Sequence, residues 1–552
     1  MGQLVKEEKW RFSGGTTMRT TDTTSEASST VHTVASIVGR RTLEGAPGGR
    51  MTSTNPARTS ETVAEVLLGD AGTFVEACRA AREAQGEWAD VPAPVRSQVI
   101  KKIGRIVENN KEALARLVTR EIGKPYAESL GEVQEIIDTC DFFTGEGRRL
   151  YGQTVPSEMP DKQLFTFRVP VGVAAIVTAG NFPVAVPSWY MIPALTCGNA
   201  VVWKPAEYSP AIGDALGKLF VAGGLPDGVL NVVQAEGSAA FEGLERALDE
   251  GLVDKVGFTG SSEVGKRIGE LGGRHMQSPC LELGGKNPLV VMPDADLDLA
   301  VEGALFSGFG TAGQRCTSLG TVIVHESVHD EFLERFSGAV LEAKIGDPAE
   351  DVLYGPMLSE RFHDRFIGFL ELIEDHHSLH GSTGMGTITE DNPRDGFVGD
   401  PEAGIYCHPT IVDGVTLEDD LYRTETFGPL VGVATFSDFD EAVALSNGHG
   451  YGLSAAIYTT DATNALRFRE RNGAGMLSVN NSTSGAEAHL PFGGNGKSGN
   501  GSRLSGIWVI DQFTRWQSMN WDYAGKLQKA QMDIGDLPAD LDYTLPEEEK
   551  GL

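Results

Sequence analysis

The sequence predicts an α/β protein whose strands run parallel and are covered by helices on both faces. Three observations carry that expectation. From Val169 onward, short apolar runs alternate with stretches of helical periodicity. The runs VGVAAIVT (171–178), AVVWK (200–204), GVLNVV (228–233), DKVGFT (254–259) and PLVVM (288–292) are predominantly apolar, as strands buried on both sides are, and helix-like segments at 210–224 and 262–272 separate them. The length, 552 residues, suffices for two or three domains with large cores.

Taken in order, residues 1–45 are rich in Thr, Ser and Gly and read as a disordered extension, with Met18 as an alternative start. Apolar residues at helical spacing over 64–118 predict two long amphipathic helices, and 129–150 a third. A second α/β region runs from Asp294 to about residue 490, with strands at TVIVHESV, TIVDGV, VGVATF and LSAAIYT. Residues 376–404, rich in Gly, Asp, Pro and Thr, read as a long surface loop. WVIDQFTRWQSMN (508–520) reads as an edge strand that pairs with another chain or domain, and the acidic tail beyond Lys526 as a fraying end. No internal repeat is present.

Acidic residues outnumber basic ones 77 to 46, giving a formal net charge of -31 spread along the chain. Such a surface repels nucleic acid and anionic membranes, and its even spread matches halophilic proteins or an acidic mesophilic enzyme. The six cysteines, Cys78, Cys140, Cys197, Cys280, Cys316 and Cys407, lie far apart with no CxxC pair and no histidine cluster. This predicts no disulfide framework, no metal site and a reducing cytoplasm. No apolar run reaches the ~18 residues a membrane span needs, and no secretory signal is evident.

The chemistry concentrates at FGTAGQRCTS (309–318), where Cys316 follows Arg315 in a run of small residues. Nearby positive charge and aimed backbone N–H groups favour the reactive thiolate. Other motifs sit at strand ends. Asn181, in TAGNFPVAVP, is placed to donate to an oxyanion or simply to form a turn. Lys204 and Glu207, in WKPAE, suit an adenine-ribose hydroxyl pair or a surface ion pair. GFTGSSEVGK (257–266) opens onto a helix whose first N–H groups suit a pyrophosphate, although its spacing is not G-x-G-x-x-G. Glu282, in LELGGKNP, would activate water if held near a cysteine. ETFGP (425–429) offers a carboxylate and an aromatic for a ribose and a planar ring, and PFGGNGKSG (491–499) reads as a glycine-rich turn.

In this order, these motifs resemble the NAD(P)-dependent aldehyde dehydrogenase family over residues 50–520. The resemblance implies an aldehyde dehydrogenase-like α/β fold: a Rossmann-like NAD-binding domain (47–151 and 171–283), an α/β catalytic domain (284–507) and a β oligomerisation arm (152–170 and 508–523), flanked by the extension (1–46) and the acidic tail (524–552). It implies Cys316 as nucleophile, Glu282 as general base and Asn181 in the oxyanion hole. Lys204 and Glu207 would bind the adenosine ribose, Gly260 and Ser261 the phosphates, and Glu425 and Phe427 the nicotinamide ribose and ring. NAD is the expected cofactor because a carboxylate at 207 repels a 2′-phosphate, with NADP possible beside Lys204. No metal is implied, and the partner expected is a second copy, as homodimer or homotetramer.

Two stretches further resemble the α-aminoadipic semialdehyde dehydrogenase (antiquitin)-like branch: GEVQEIIDTCD (131–141), and GQRCT together with TSGAE (483–487). They imply Arg315, Gly485 and Ala486 as a grip on the substrate's charged end, with Glu132 as an amine contact. An arginine beside the nucleophile suits an aldehyde that ends in a carboxylate. The reaction implied is thiolate attack, hydride loss from the tetrahedral thiohemiacetal, and hydrolysis of the thioester. A CoA-acylating relative, generally lacking the glutamate at 282, and an inactive binding protein of the same fold are the alternatives.

Overall fold

The computed structural model describes residues 32–527 and 537–551. The reading of residues 1–31, including Met18, and that of residues 528–536 of the tail lie outside the described residues. Two seven-stranded sheets organise the chain. In the first, five parallel strands follow the order Cys280–Glu282, Lys255–Thr259, Val173–Val177, Ala200–Lys204, Leu230–Val232. Every residue of Ala200–Lys204 and Lys255–Thr259 is buried, which is why these runs lack a polar alternation. The chain enters this set at its middle, Val173–Val177, builds outward, and then returns to the other side for Lys255–Thr259. That reversal opens a crevice beyond the carboxyl ends of the two central strands, where ligands bind in such sheets.

The second sheet runs Ser378–His380, Thr410–Asp413, Leu430–Phe436, Leu319–His325, Asn287–Val291, Ser454–Tyr458, Met476–Val479, parallel except at Ser378–His380. Glu282 ends an edge strand of the first sheet and Asn287 begins a central strand of the second, so residues 283–286 join the two. A third sheet pairs Thr514–Asp522 antiparallel with Lys162–Pro170, which also pairs with Thr154–Val155.

The structure corrects several expectations. Residues 32–46 are not part of a disordered extension. His32–Ala35 pairs parallel with Arg58–Leu68, and Ile37–Val38 continues the first sheet beside Leu230–Val232. Residues 64–118 do not form two helices. Arg58–Leu68 is a strand whose end is buried on both faces, so its apolar residues at 63, 64, 66 and 67 mimic helical spacing. Three helices follow, Ala71–Asp90, Ala93–Asn109 and Lys111–Ile122; the first is started by a capping box between Asp70 and Thr73 and the second by Pro92. The stretch 376–404 carries two short strands, Ser378–His380 and Phe397–Val398. The segment expected as a strand over 508–520 begins with helical turns, and only Thr514–Asp522 is extended.

One element gave no periodic signal. All twelve residues of helix Ala185–Thr196 are buried, packed between the first sheet and the helices Ala93–Asn109 and Tyr126–Glu146. A helix without a polar face has no amphipathic pattern to read. No helix among the described residues is long and apolar enough to cross a membrane.

Candidate active site

Cys316 stands after helix Leu297–Phe309 and a single tight turn, Gly310–Gly313. Within that turn Thr311 (φ 53°) and Ala312 (φ 54°) are left-handed, a conformation that costs a non-glycine residue about 1–3 kcal/mol unless its surroundings over-determine it. They do so here. Glu128 accepts from the Thr311 N–H (3.2 Å) and hydroxyl and from the Arg315 guanidinium. The Gln314 side-chain oxygen accepts from the Leu358 N–H (3.0 Å), and the Asn287 amide donates to the carbonyls of Cys316 (2.8 Å) and Ser318 (2.7 Å). Asn181, at the end of the first central strand, donates from Nδ2 to the Gln314 carbonyl at 2.9 Å. The sequence reading missed Asn287, although it directly follows the quoted GGK.

The turn that carries Asn181 has its own support. Glu132 Oε1 accepts from the N–H groups of Val184 (2.7 Å) and Ala185 (3.1 Å) at the start of the buried helix, while Oε2 meets the Lys124 ammonium at 2.5 Å. That ammonium also lies 3.5 Å from the centre of the Phe182 ring. Gly180 is obligatory, since a Cβ there would come within 2.6 Å of the Tyr208 ring.

Cys316 forms part of the wall of two cavities. The larger, about 290 Å³, opens at the crevice of the first sheet. Asn181, Glu207, Gly260 and Ser261 line it, as do Glu425 and Phe427 across from them. Lys204 reaches it through Glu207, whose carboxylate it meets at 3.0 Å and which also accepts from the Gly237 N–H at 2.6 Å. Burial works against the Glu207 charge, but Lys204 prevails and holds the carboxyl below its ordinary range. Ser261 caps helix Ser262–Arg274, and Arg361 and Arg365 line the same space. Glu425 Oε1 accepts from the Gly285 N–H at 3.0 Å, and a Cβ on Gly284 would come within 1.9 Å of its other oxygen. Phe427, left-handed at φ 45°, packs against Phe362. A carboxylate at one end, helix N–H groups with arginines in the middle, and a carboxylate beside an aromatic next to the thiol fit a dinucleotide laid along the crevice.

The smaller cavity, about 230 Å³, touches Cys316 from the other side. Arg315, Glu132, Gly485 and Ala486 all line it. The turn around Gly485 (φ 140°) is tied to the Cys316 loop, since the Thr483 hydroxyl donates to the Thr317 carbonyl at 2.8 Å. Two details modify the sequence reading. Both oxygens of Glu132 are already taken, so this residue holds the Asn181 turn. Glu135, one helical turn on, lines this cavity and an adjoining acidic vestibule of about 400 Å³ shared with Asp138, Asp141 and Glu487, and its buried Oε2 has no hydrogen-bond partner. Burial, reinforced by Glu132, pushes its carboxyl up to about 8. A free carboxyl facing a cavity was the available signal, and GEVQE did not say which glutamate would have it.

Glu282 is buried at the end of its strand and lines neither cavity; its carboxylate oxygens lack partners, and the loop at 491–499 packs over it, with Gly493 (φ 150°) adjacent. Burial pushes its carboxyl far up, only partly opposed by the Gly494 backbone and Arg503. Burial also pushes up the Cys316 thiol, helped by Glu282 and Glu425 and opposed by the N–H groups of Thr317 and Cys316. Thiol and acid each disfavour ionisation of the other.

Elsewhere, His376, His377 and Asp419 come together in a geometry that would admit a cation. The Glu374 N–H donates to Nδ1 of His377, so its Nε2 carries the proton shared with Asp419. The trio reads as a hydrogen-bonded clasp.

Comparisons with known proteins agree with this geometry. The model of the aldehyde dehydrogenase family matches residues 43–519. The α-aminoadipic semialdehyde dehydrogenase of Bos taurus is 37% identical over 495 residues, covering 88% of this chain and 89% of its own. The α-ketoglutarate semialdehyde dehydrogenase of Haloferax volcanii is 37% identical over 444 residues, covering 80% and 89%. Among solved structures, betaine aldehyde dehydrogenase from Staphylococcus aureus in complex with NAD+ superposes with a TM-score of 0.84 at 28% identity, covering 89% of this chain and 96% of that one.

The different situations of Glu132 and Glu135 make a stability prediction. Glu132→Ala strands the Lys124 charge and lowers unfolding free energy by about 3–5 kcal/mol, whereas Glu135→Gln, which removes an unpaired acid, leaves it within about 0.5 kcal/mol. Denaturant midpoints of the two variants against the parent chain measure this.

Proposed function

Since the chain belongs to the aldehyde dehydrogenase family, we propose that it uses NAD to oxidise a semialdehyde that carries both a carboxylate and an ammonium group, releasing the carboxylic acid. The observation that carries this reading is the position of Cys316 on the shared wall of a dinucleotide-shaped cavity and a smaller charged one. When bound, the oxidised nicotinamide supplies the hydride acceptor. Cys316 Sγ, its proton released to solvent through the larger cavity, forms a bond as thiolate to the aldehyde carbon, and the carbonyl electrons move to oxygen. One N–H of the Asn181 amide is spent on Gln314, which leaves the other, together with the Cys316 N–H, for that oxyanion. Collapse re-forms the C=O bond as hydride departs, leaving a thioester on Sγ. Glu282 takes a proton from water as the water oxygen attacks the thioester, and the thiolate leaves. Burial raises its affinity for a proton above that of an exposed carboxylate, which makes it a stronger base once ionised. Because Glu282 lines neither cavity, it must swing toward Cys316 for this step.

On the substrate side, Arg315 and the Gly485–Ala486 backbone would hold the carboxylate, and Glu135 the ammonium. Glu207, kept ionised by Lys204, favours NAD over NADP. The two seven-stranded sheets and the sheet of Thr514–Asp522 support a domain division at 47–151 with 171–283, 284–507, and 152–170 with 508–523, whose first part would extend back to include the strands from His32 onward. The six free cysteines are in keeping with a reducing cytoplasm, and the net charge of -31 with a salt-rich one. Trp516, Met519 and Trp521 stand exposed on Thr514–Asp522, beside Phe167 on its partner strand, which supports a homodimer or homotetramer built through this arm.

NAD and NADP reduction by the purified protein, at low and multimolar salt, is expected with NAD, without CoA, and is expected to vanish in Cys316→Ala; activity surviving in that variant would sink the mechanism. Glu135→Gln should raise KM for an amino-bearing semialdehyde by about tenfold or more while sparing a keto-dicarboxylic one; equal loss on both would remove Glu135 from substrate recognition. Trp516→Arg combined with Trp521→Arg should lower the mass measured by light scattering to that of smaller assemblies, and an unchanged mass would place the interface elsewhere.

A further inference from the structure

Lys286 is a buried base that the mechanism above does not use. It lies in the segment joining the two sheets and is 2% exposed, with no hydrogen-bond partner on Nζ. Its stem is accommodated by Gly320, where a Cβ would come within 2.4 Å of the lysine Cδ. Placing a lysine so deep without a partner is costly, and a lysine retained there needs a counter-charge or water. Both are at hand. A void of about 10 Å³, near the size of one water, is lined by Lys286 and by Glu425, together with Gly285, Thr426 and Phe427. Glu425 is the carboxylate that faces the larger cavity beside Cys316.

We infer that Lys286 is a positioning residue for Glu425: the two residues line the same water-sized void, and the nearby ammonium keeps Glu425 ionised so that both oxygens can accept from hydroxyls of the dinucleotide's ribose. This rests on the reading of the larger cavity as the dinucleotide site. A protonated Glu425 would be a donor at one oxygen and would lose part of that grip. Other groups near Glu425 are the Gly285 N–H, Arg365, Tyr451 and the Cys316 thiol, and Arg315, paired with Glu128, lines the same void; Lys286 is also near His449, whose Nδ1 accepts from the Tyr451 N–H. Burial pushes the Glu425 carboxyl up to about 7, opposed by Gly285, Arg365 and Lys286, and lowers Lys286 to about 8, opposed by Glu425. The carboxylate is thus only marginally ionised at neutral pH, and removal of the lysine would tip it to the acid.

The test is NAD affinity against pH, by calorimetry on the full chain without aldehyde. In the parent, affinity should fall as pH drops through the region of 7. Lys286→Met should weaken binding at pH 7.5 by about tenfold, with affinity recovering as pH rises and Glu425 ionises. Glu425→Gln should flatten the profile, and the double variant should bind no worse than Glu425→Gln alone. Since neutral Glu425 no longer opposes the Cys316 thiolate, alkylation of Cys316 in ligand-free Lys286→Met should be as fast as in the parent or faster, which a merely disrupted site would not give. A Lys286→Met profile superimposable on the parent's, or multiplicative losses in the double variant, would overturn the inference. If Lys286→Met does not fold, the profile of Glu425→Gln decides: parent-like pH dependence there is equally fatal. Absence of NAD binding by the parent itself would instead defeat the reading of the cavity.

Discussion

The active site depends on the cost of burying charge. Cys316, Glu282, Glu425 and Lys286 are gathered where the two parallel sheets meet, and burial disfavours the charged form of every one of them. The acids and the thiol also oppose one another. The resting site therefore disfavours ionisation of the Cys316 thiol and of both acids. Such a site gains reactivity when positive charge enters the larger cavity, because thiolate and carboxylate are then stabilised together. Cofactor occupancy and ionisation of Cys316 would then be linked through electrostatics.

A site that relies on weakly favoured charges needs rigid surroundings, and helix Tyr126–Glu146 supplies much of this. Glu128, Glu132 and Glu135 fall on one face of that helix at spacings of four and three. Glu128 clamps the left-handed turn before Cys316 together with Arg315, and Glu132 pins the Asn181 turn through Lys124 and two backbone N–H groups. Glu135 has no such partner on Oε2 and faces the smaller cavity. Three identical side chains thus have three roles, and their environments alone separate them.

That distinction marks the limit of what the sequence conveys. The parallel strands were legible because burial on both faces leaves an apolar run with turn residues at its end, and the site residues lie at those ends: Asn181, Lys204, Glu207, Gly260 and Ser261 follow strands within a few positions. Helix Ala185–Thr196 was not legible, since burial all round erases amphipathic periodicity, and Arg58–Leu68 was misread because a strand end buried on both sides imitates helical spacing. Among side chains, sequence could place glutamates in the right segment without telling a paired one from a free one. Asn287 and Lys286 are in the same position: the first bonds the Cys316 carbonyl about 30 positions away, and the second shares a void with Glu425 about 140 positions away.

The acidity of the chain and the anionic nature of its ligands are reconciled by location. The chain carries a formal charge of -31, yet the walls of the two cavities set Arg361, Arg365 and Arg315 among the carboxylates of Glu207, Glu425, Glu128, Glu132 and Glu135, with Arg315 stacked 4.4 Å from the centre of the Phe306 ring and paired with Glu128. Surface repulsion extends only over a screening length, about 3 Å at molar salt, so concentrated salt removes the long-range barrier to an anionic dinucleotide. Contacts inside the crevice are shielded far less, because counter-ions do not enter a cavity lined by protein. Arg315, held on one side by an aromatic ring and on another by a carboxylate, cannot fold back onto the surface when the field there is screened. Recognition placed in buried pairs rather than surface patches is therefore the arrangement that tolerates both a strongly acidic exterior and the salt that such an exterior suits.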